Sequence, residues 1–256
     1  MGRGPVVAKK KEVSNAAKQK VFTIHAKLIS IAAGKGGDPM LNPSLHDAIE
    51  KAKKDNLPND NIERAIKKGT GEDKDSNKIE QIVYEGYGTG GIAFMVSTLT
   101  DNKNRTASNI RHIFTRYAGS MGESGSVSYM FERDGIIIID LDKYKKDLLE
   151  EIVFETQAKD FFEENGMFKV ITSLEDFLDT KKIFESKNIN FEFADIDFIP
   201  TNTVDVTDFD KALKLTKMIE DFNNDDDVEK ISSNLNIDEK LQKEVDDFIE
   251  KNTFRT

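Results

Sequence analysis

Residues 42–70 read NPSLHDAIEKAKKDNLPNDNIERAIKKGT, and this stretch predicts two short helices in succession. Asn42 before Pro43 is a typical helix start, because asparagine can cap free amides and proline needs no amide hydrogen at the first helical position. Pro58 with Asp60 marks the second start. Apolar residues recur three and four positions apart and give each helix one buried face: Leu45, Ala48, Ile49 and Ala52, then Ile62, Ala65 and Ile66.

A longer helix precedes this pair. From Val13 onward, apolar residues alternate in steps of four and three, which predicts a single helical stripe of Ala17, Val21, Ile24, Leu28 and Ile31. We expect glycines to end the first and last helices: Gly34, Gly36 and Gly37, and then Gly69. The polar segment 71–77 is typical of a linker. Residues 1–76 are therefore predicted to form a basic N-terminal helical bundle.

The rest of the chain alternates between strand and helix patterns, which indicates an α+β fold. Alternating and β-branched segments predict strands at 79–84, 92–100, 126–131, 136–141, 167–172, 191–199 and 203–206. Helical spacing predicts helices at 104–117, 143–159, 174–187, 208–221 and 238–251. Arg133, Asp134 and Gly135 are interpreted as a turn between two strands and as a domain boundary, and Pro200 closes the unit that begins there.

The composition excludes several kinds of site. The chain has no cysteine, so it forms no disulfide, no thiolate metal site and no cysteine nucleophile. No apolar run approaches the roughly 20 residues that a membrane-spanning helix needs. Residues 1–6 lack the apolar core of a signal peptide. We therefore expect a soluble, cytoplasmic protein with no membrane partner.

Charge is distributed unevenly along the chain. The net charge is −10, yet residues 1–70 carry +7 and the remainder carries −17. This asymmetry indicates one basic binding module joined to acidic ones. The first helix, its leader and the end of the third helix hold lysines that could offset phosphate charge: Lys9, Lys10, Lys11, Lys18, Lys20, Lys27, Lys67 and Lys68.

Three arginines, Arg105, Arg111 and Arg116, lie on the predicted helix 104–117. Arginine can grip a phosphate with two hydrogen bonds, and the free amides at the start of the helix, after residues 101–104, also attract anions. We treat these arginines and the lysines above as candidate nucleic-acid-binding residues. The alternative interpretation is an ordinary solvated surface whose cations pair with neighbouring acids.

Two glycine-rich segments have more than one interpretation. Residues 86–91, GYGTGG, match the G-x-G-x-x-G pattern of dinucleotide sites, but a strand follows them instead of a helix, which favours a hairpin turn. Residues 119–125 could wrap an anion with backbone amides or could form a plain loop. The three histidines lie on separate predicted helices without carboxylates at metal-ligand spacing. We predict no catalytic residue, no metal and no cofactor.

Five segments together resemble the YebC/PmpR family, which includes a mitochondrial translational activator of cytochrome c oxidase subunit one. They are GGDPMLNPSLHDAIEKAKKDNLPNDNIERAIKKGTG at 36–71, VYEGYGTGG at 83–91, LTDNKNRTASNIRHIF at 99–114, GSVSYMFER at 125–133 and DFIPTNTV at 197–204. The resemblance implies three domains, one of them inserted in another: 1–76, then 77–134 with 201–256, and the acidic insert 135–200. It departs at the N-terminus, where the family's usual Trp and His are replaced, so that only contacts needing charge carry over to Lys9, Lys10, Lys11 and Lys27.

The resemblance also implies function. Bacterial members are described as DNA-binding transcriptional regulators, and other work on the family points to the ribosome and to relief of stalled translation. The two hypotheses are a DNA-binding regulator and a translation factor that binds ribosomal RNA. A metal-dependent nuclease, the third hypothesis, would need a clustered acid set that the sequence does not show. Nucleic acid, as DNA or as part of the ribosome, is the predicted partner.

Overall fold

Three helices form the N-terminal domain. The computed structural model describes residues 15–73, 77–164 and 166–253, and the predicted site residues Lys9, Lys10 and Lys11 lie outside them. The helices are α1 (Asn15–Ala33), α2 (Pro43–Lys54) and α3 (Asn59–Thr70). The predicted start of α2 is confirmed, because the Asn42 side chain accepts a hydrogen bond of 3.2 Å from the Leu45 amide. The shared core includes Ile29, Ala33, Leu45, Ile49 and Ala52.

The predicted stripe of α1 is wrong. Ala17 and Val21 are exposed, and the face that packs on α2 and α3 holds Phe22, Ala26 and Ile29 instead. The apolar residues of the predicted stripe and those of the observed packing face have the same helical spacing, because α1 is apolar on more than one side. Its periodicity therefore cannot distinguish the face that packs within the bundle from the remaining apolar surface.

The predicted end of α3 at Gly69 is also wrong. The helix continues to Thr70 and ends at Gly71, whose φ of 78° lies in the left-handed region that glycine tolerates. Gly69 has a different role: a Cβ there would lie 2.2 Å from the carbonyl oxygen of Ser30. A glycine at this position lets α3 pack directly against the backbone of α1.

The central sheet has the order β3-β1-β2-β9 and is antiparallel. Its strands are β1 (Glu80–Tyr87), β2 (Ala93–Thr100), β3 (Ser120–Met121) and β9 (Val228–Ser233). The helices associated with it are α4 (Lys103–Arg116), α7 (Phe209–Asn224) and α8 (Glu239–Thr253). Their apolar faces share one core, in which Phe94, Phe114 and Phe222 pack ring against ring. Two short strands, β8 (Val204–Asp205) and β10 (Leu235–Asn236), pair in parallel beside it.

The second sheet has the order β5-β6-β4-β7 and carries two helices. Its strands are β4 (Phe131–Asp140), β5 (Ala158–Glu164), β6 (Met167–Thr172) and β7 (Phe193–Pro200), and its helices are α5 (Lys146–Phe154) and α6 (Phe177–Ser186). β4 and β7 pair from Phe131 with Pro200 to Ile138 with Phe193. The chain therefore enters and leaves this sheet on neighbouring strands. The α+β fold class predicted from the sequence is confirmed.

Three element predictions fail around the second sheet. The turn expected at 133–135 is part of continuous β4, and Gly135 is needed because a Cβ there would lie 2.4 Å from both Phe177 and Thr172. The helix expected at 143–159 ends at Phe154, and β5 follows it. The strand expected at 126–131 is instead a loop with one 3-10 turn, Ser128–Met130. None of the described helices is long and apolar enough to cross a membrane.

Candidate nucleic-acid interface

The N-terminal domain is joined to the central domain through one buried carboxylate. Asp227 lies just before β9, and its side chain is 7% exposed. Lys27 of α1 donates to its Oδ1 at 2.8 Å, and Arg105 of α4 donates to its Oδ2 at 2.7 Å. The hydroxyl of Thr106 donates to the same Oδ2 at 2.8 Å. Two cations from different domains therefore converge on a single acid.

The environment of Asp227 keeps it ionised. Burial alone would raise the pKa of this carboxyl, but the hydrogen bonds from Lys27, Arg105 and Thr106 outweigh that effect and lower it from 3.8 to about 2. The hydrogen bond to Asp227 in turn raises the pKa of Arg105. The group is thus a stable ion-pair network at neutral pH.

The segment before Asp227 makes further contacts with the same two helices. Lys20 donates to the Asn223 carbonyl, and Lys27 donates to the Asp226 carbonyl at 2.7 Å. On the other side, the Asn109 amide donates to Asp225 at 3.2 Å. Burial lowers the pKa of Lys20 although Asp225 and Asp226 act in the opposite direction. The connection between α7 and β9 therefore lies between α1 and α4.

A second ion pair joins the N-terminal domain to the inserted sheet. Lys51 of α2 lies 3.3 Å from Asp195 of β7, and Lys230 of β9 donates to the other oxygen of Asp195 at 2.6 Å. Burial raises the pKa of Asp195, but the two lysines outweigh it and the pKa is lowered overall. Lys51 is half exposed, so its contribution to docking is small.

A basic cleft opens between α1, α3 and the central domain. Its volume is about 640 Å³. Four cations line it, together with the carboxylates Asp73 and Asp101 and the apolar side chains of Phe22 and Ile79: Lys27, Arg64, Lys67 and Lys68. Among the described residues, Arg64 donates to the Asp60 carbonyl and the Asn61 side chain and to no carboxylate. Within the described residues Arg64, Lys67 and Lys68 form no ion pair, so their charge is available to an anion in the cleft.

The predicted site residues fall into two groups. Lys20, Lys27, Arg105 and Arg116 contact acidic or carbonyl groups of the protein itself, with Arg116 donating to Asp221 at 2.7 Å. The others have no ion pair among the described residues and lie exposed or partly exposed: Lys18, Lys67, Lys68 and Arg111. The structure brings Lys27, Lys67 and Lys68 to one cleft, and Lys27 and Arg105 to one carboxylate.

Sequence reasoning missed two residues of this region. Arg64 precedes Lys67 and Lys68 by three and four positions, which places the three cations on one face of α3, so the sequence contained a signal for it. Asp227 lies between the predicted helices 208–221 and 238–251, in a segment for which no element was predicted. Its importance depends on contacts with Lys27, 200 positions away, and Arg105, 122 positions away, which no local pattern reveals.

The end of the second glycine-rich segment and the residues that follow it bind an internal anion. The carboxylate of Glu85 accepts hydrogen bonds from the amides of Gly125 and Val127 at 2.8 Å and of Ser128 at 2.9 Å. Burial raises the pKa of Glu85, and the three amides outweigh this and lower it. The loop is therefore a nest of amides, filled by the protein's own side chain, and it holds the start of β4 against β1.

The first glycine-rich segment is the predicted hairpin turn. Residues 86–91 connect β1 to β2, and the register continues to Tyr87 opposite Ala93. A Cβ on Gly88 would lie 2.8 Å from the Phe94 ring. Close packing thus accounts for this glycine. No group of three or more His, Cys, Asp or Glu in the described part of the chain could hold a metal ion.

Comparison with known proteins adds two family matches. Residues 5–72 match the model of the TACO1/YebC protein N-terminal domain, and residues 79–235 match that of the TACO1/YebC second and third domain. A crystal structure of a conserved hypothetical protein from Aquifex aeolicus has the same fold, with a TM-score of 0.82 and 38% identity. That similarity covers 90% of this chain and 95% of the other.

Curated relatives are similar over nearly their full length. A probable transcriptional regulatory protein of Clostridioides difficile (strain 630) is 42% identical over 93% of this chain and 100% of its own. One from Syntrophomonas wolfei subsp. wolfei is 46% identical over 91% and 94%. The resemblance seen in the sequence is confirmed. The chain belongs to the TACO1/YebC family, whose relatives are named as regulators and not as enzymes.

Proposed function

We propose that this protein is a non-enzymatic transcriptional regulator that binds the phosphate backbone of DNA in the basic cleft. The observation that carries the proposal is the row Arg64, Lys67 and Lys68, which lines the cleft without an ion pair among the described residues. These cations belong to residues 1–70, which together carry a net charge of +7. Lysines and arginines of this kind position a protein on nucleic acid without reading its sequence.

The charge of the remaining chain supports the same orientation. Residues beyond 70 carry −17 in total, so the part of the chain beyond residue 70 that does not line the cleft or carry the arginines of α4 is expected to face away from the nucleic acid. Lys18 and Arg111, both exposed, extend the cationic surface on α1 and α4. Lys9, Lys10 and Lys11 add charge to the same domain in sequence. The name of the relatives, probable transcriptional regulatory protein, agrees with DNA as the target.

Charge reversal tests the proposal. The full-length variant with Arg64→Glu, Lys67→Glu and Lys68→Glu is expected to bind a labelled DNA duplex at least roughly tenfold more weakly, whatever its sequence. The matched control reverses Lys240 and Lys243, which are exposed on α8 and form no ion pair with a described residue. Fluorescence anisotropy measures both affinities. Unchanged binding by the cleft variant, with circular dichroism showing it folded, would contradict the proposal.

RNA on the ribosome is the second candidate target. The cations of the cleft support it as well, because double-stranded RNA is recognised mostly through its phosphates and the shape of its grooves. Co-sedimentation of the protein in a lysate of its own cells distinguishes the two candidate targets. A DNA regulator is recovered with chromosomal DNA, and a translation factor is recovered with ribosomes.

A further inference from the structure

The segment that joins α7 to β9 places three consecutive acids between two cationic helices. We call Asp225–Asp227 the acidic loop. Its contacts reach Lys27 on one side and Arg105 and Asn109 on the other. Lys20 also donates to the carbonyl of Asn223 at the end of α7, two residues before the loop. Four side chains of α1 and α4 are therefore held by the end of α7 and the acidic loop together.

The donors around Asp227 form an oxyanion site. Its two carboxylate oxygens receive an ammonium, a guanidinium and the Thr106 hydroxyl within 2.8 Å, and the Thr100 hydroxyl lies 3.4 Å away. Charge-assisted donors of this kind also bind phosphate oxygens, and arginine is well suited to do so. The carboxylate thus occupies a position that a phosphate group could take.

This site adjoins the basic cleft. Lys27 belongs to both, because it donates to Asp227 and also lines the cleft with Arg64, Lys67 and Lys68. Arg105 remains 49% exposed while paired, so an incoming anion can reach its guanidinium. A nucleic-acid strand in the cleft would therefore bring its phosphates beside a cation that an internal acid already holds.

We infer that the acidic loop is an internal competitor for nucleic-acid phosphate, and that binding displaces Asp227 from Lys27 and Arg105. The inference rests on the proposed function. A displaced Asp227 could not stay buried without its partners, because an unpaired buried charge is costly. The loop must then move away from α1, which loosens the N-terminal domain from the central domain. Release of counterions from the nucleic acid favours the exchange.

Neutralising the competitor tests the inference. Asp227→Asn keeps the size of the side chain and removes its charge. The full-length variant is therefore expected to bind a DNA duplex about tenfold more tightly. This factor corresponds to a parent protein in which Asp227 is displaced from Lys27 and Arg105 in about one-tenth of the molecules. The matched control is Asp210→Asn, which removes an exposed acid of α7 that has no ion pair among the described residues. Asp227→Asn binding no more tightly than this control would overturn the inference.

Cross-linking gives a second test that does not depend on the folding of that variant. The chain has no cysteine, so Lys20→Cys with Asn223→Cys introduces a single pair across the contact between α1 and the end of α7. A short bismaleimide then locks the contact, and a monofunctional maleimide serves as its control. The locked protein is expected to bind DNA about tenfold more weakly than the control adduct. Equal binding by the two adducts would overturn the inference.

The two proposals fail in different ways. If neither the parent nor Asp227→Asn binds DNA or ribosomal RNA, the proposed function is wrong and the inference falls with it. If the parent binds and charge reversal in the cleft abolishes binding, while neutralisation of Asp227 and cross-linking change nothing, only the internal competitor is wrong.

Discussion

Glu85→Gln is expected to destabilise the central domain strongly, because glutamine cannot replace a carboxylate that receives three amides. One oxygen of Glu85 accepts from Gly125, and the other accepts from Val127 and Ser128. In the orientation that keeps two of the three hydrogen bonds, the side-chain NH2 of glutamine faces the backbone N–H of Gly125, and both groups are donors. The variant loses one hydrogen bond to a charged group, which lowers the free energy of unfolding by about 1.5–3 kcal/mol, and its other two hydrogen bonds are weaker because their acceptor is neutral. Since a charged carboxylate is no longer buried, part of this loss is offset, and the expected decrease in the free energy of unfolding is about 2–4 kcal/mol.

The assay is urea unfolding, with amide hydrogen exchange as the local probe. Protection of the Gly125, Val127 and Ser128 amides should fall together in the variant. Glu123→Gln in the same loop is the control, since that side chain is exposed and its loss should cost no more than about 0.5 kcal/mol. If Glu85→Gln unfolds at the same urea concentration as this control, the amide nest does not stabilise the domain.

The effect should also depend on pH with a defined sign. The pKa of Glu85 is lowered in the folded protein from its ordinary value of 4.5. Its stabilisation is therefore fully present above pH 4.5 and is lost as the pH falls through the folded-state pKa. The difference between the parent and Glu85→Gln should be largest near neutral pH and should shrink in acid. A difference that grows as the pH falls would contradict the assignment.

Further predictions concern packing, the interdomain contact, the linker and catalysis. Gly69→Ala should lower stability by about 1–3 kcal/mol in thermal unfolding because its Cβ meets the α1 backbone, whereas Gly34→Ala, with 3.2 Å of clearance, should cost less. The stabilisation from Asp227 should be complete above pH 3.8 and lost as the pH falls through about 2, which acid unfolding of parent and Asp227→Asn would show. Limited proteolysis should cut within 71–77 and release the helical domain, and cuts inside its helices would contradict this boundary. Purified protein should show no metal-dependent nuclease or nucleotide hydrolase activity. Turnover that survives further purification and is abolished by a carboxylate substitution would refute this.

The sequence predicted those helices and strands whose start signals and apolar pattern lie within the element itself. Asn42 and Pro43 fix the start of α2 through bonds made within one helical turn, and the apolar run of β6 matches its prediction at both ends. Strand β9 was missed because its residues are mostly polar and half-buried. It forms because β2 supplies a hydrogen-bonding edge from a distant part of the chain. Strand β5, rich in acids and lysine, was missed for the same reason, because the predicted helix 143–159 reaches only its first two residues and no element was predicted for the others.

Local patterns also mislead where a glycine or an acid serves a distant contact. Gly135 looks like a turn residue, but Phe177 and Thr172 require it inside a strand. The strand expected at 126–131 cannot form fully, because Glu85 takes the amides of Val127 and Ser128 that a ladder would use. At the interface, charge and spacing located the basic domain. They did not show which cations the protein itself neutralises, because that depends on tertiary contacts.

The salt dependence of DNA binding tests the central claim most directly. If Arg64, Lys67 and Lys68 each contact a phosphate, the slope of log affinity against log salt concentration should be smaller in magnitude for the triple glutamate variant, by about 0.9 per contact and so by about 2.7 in all. The Lys240→Glu and Lys243→Glu control should keep the parent slope. A triple variant whose affinity and slope equal those of the parent would show that the basic cleft is a solvated surface that does not bind nucleic acid.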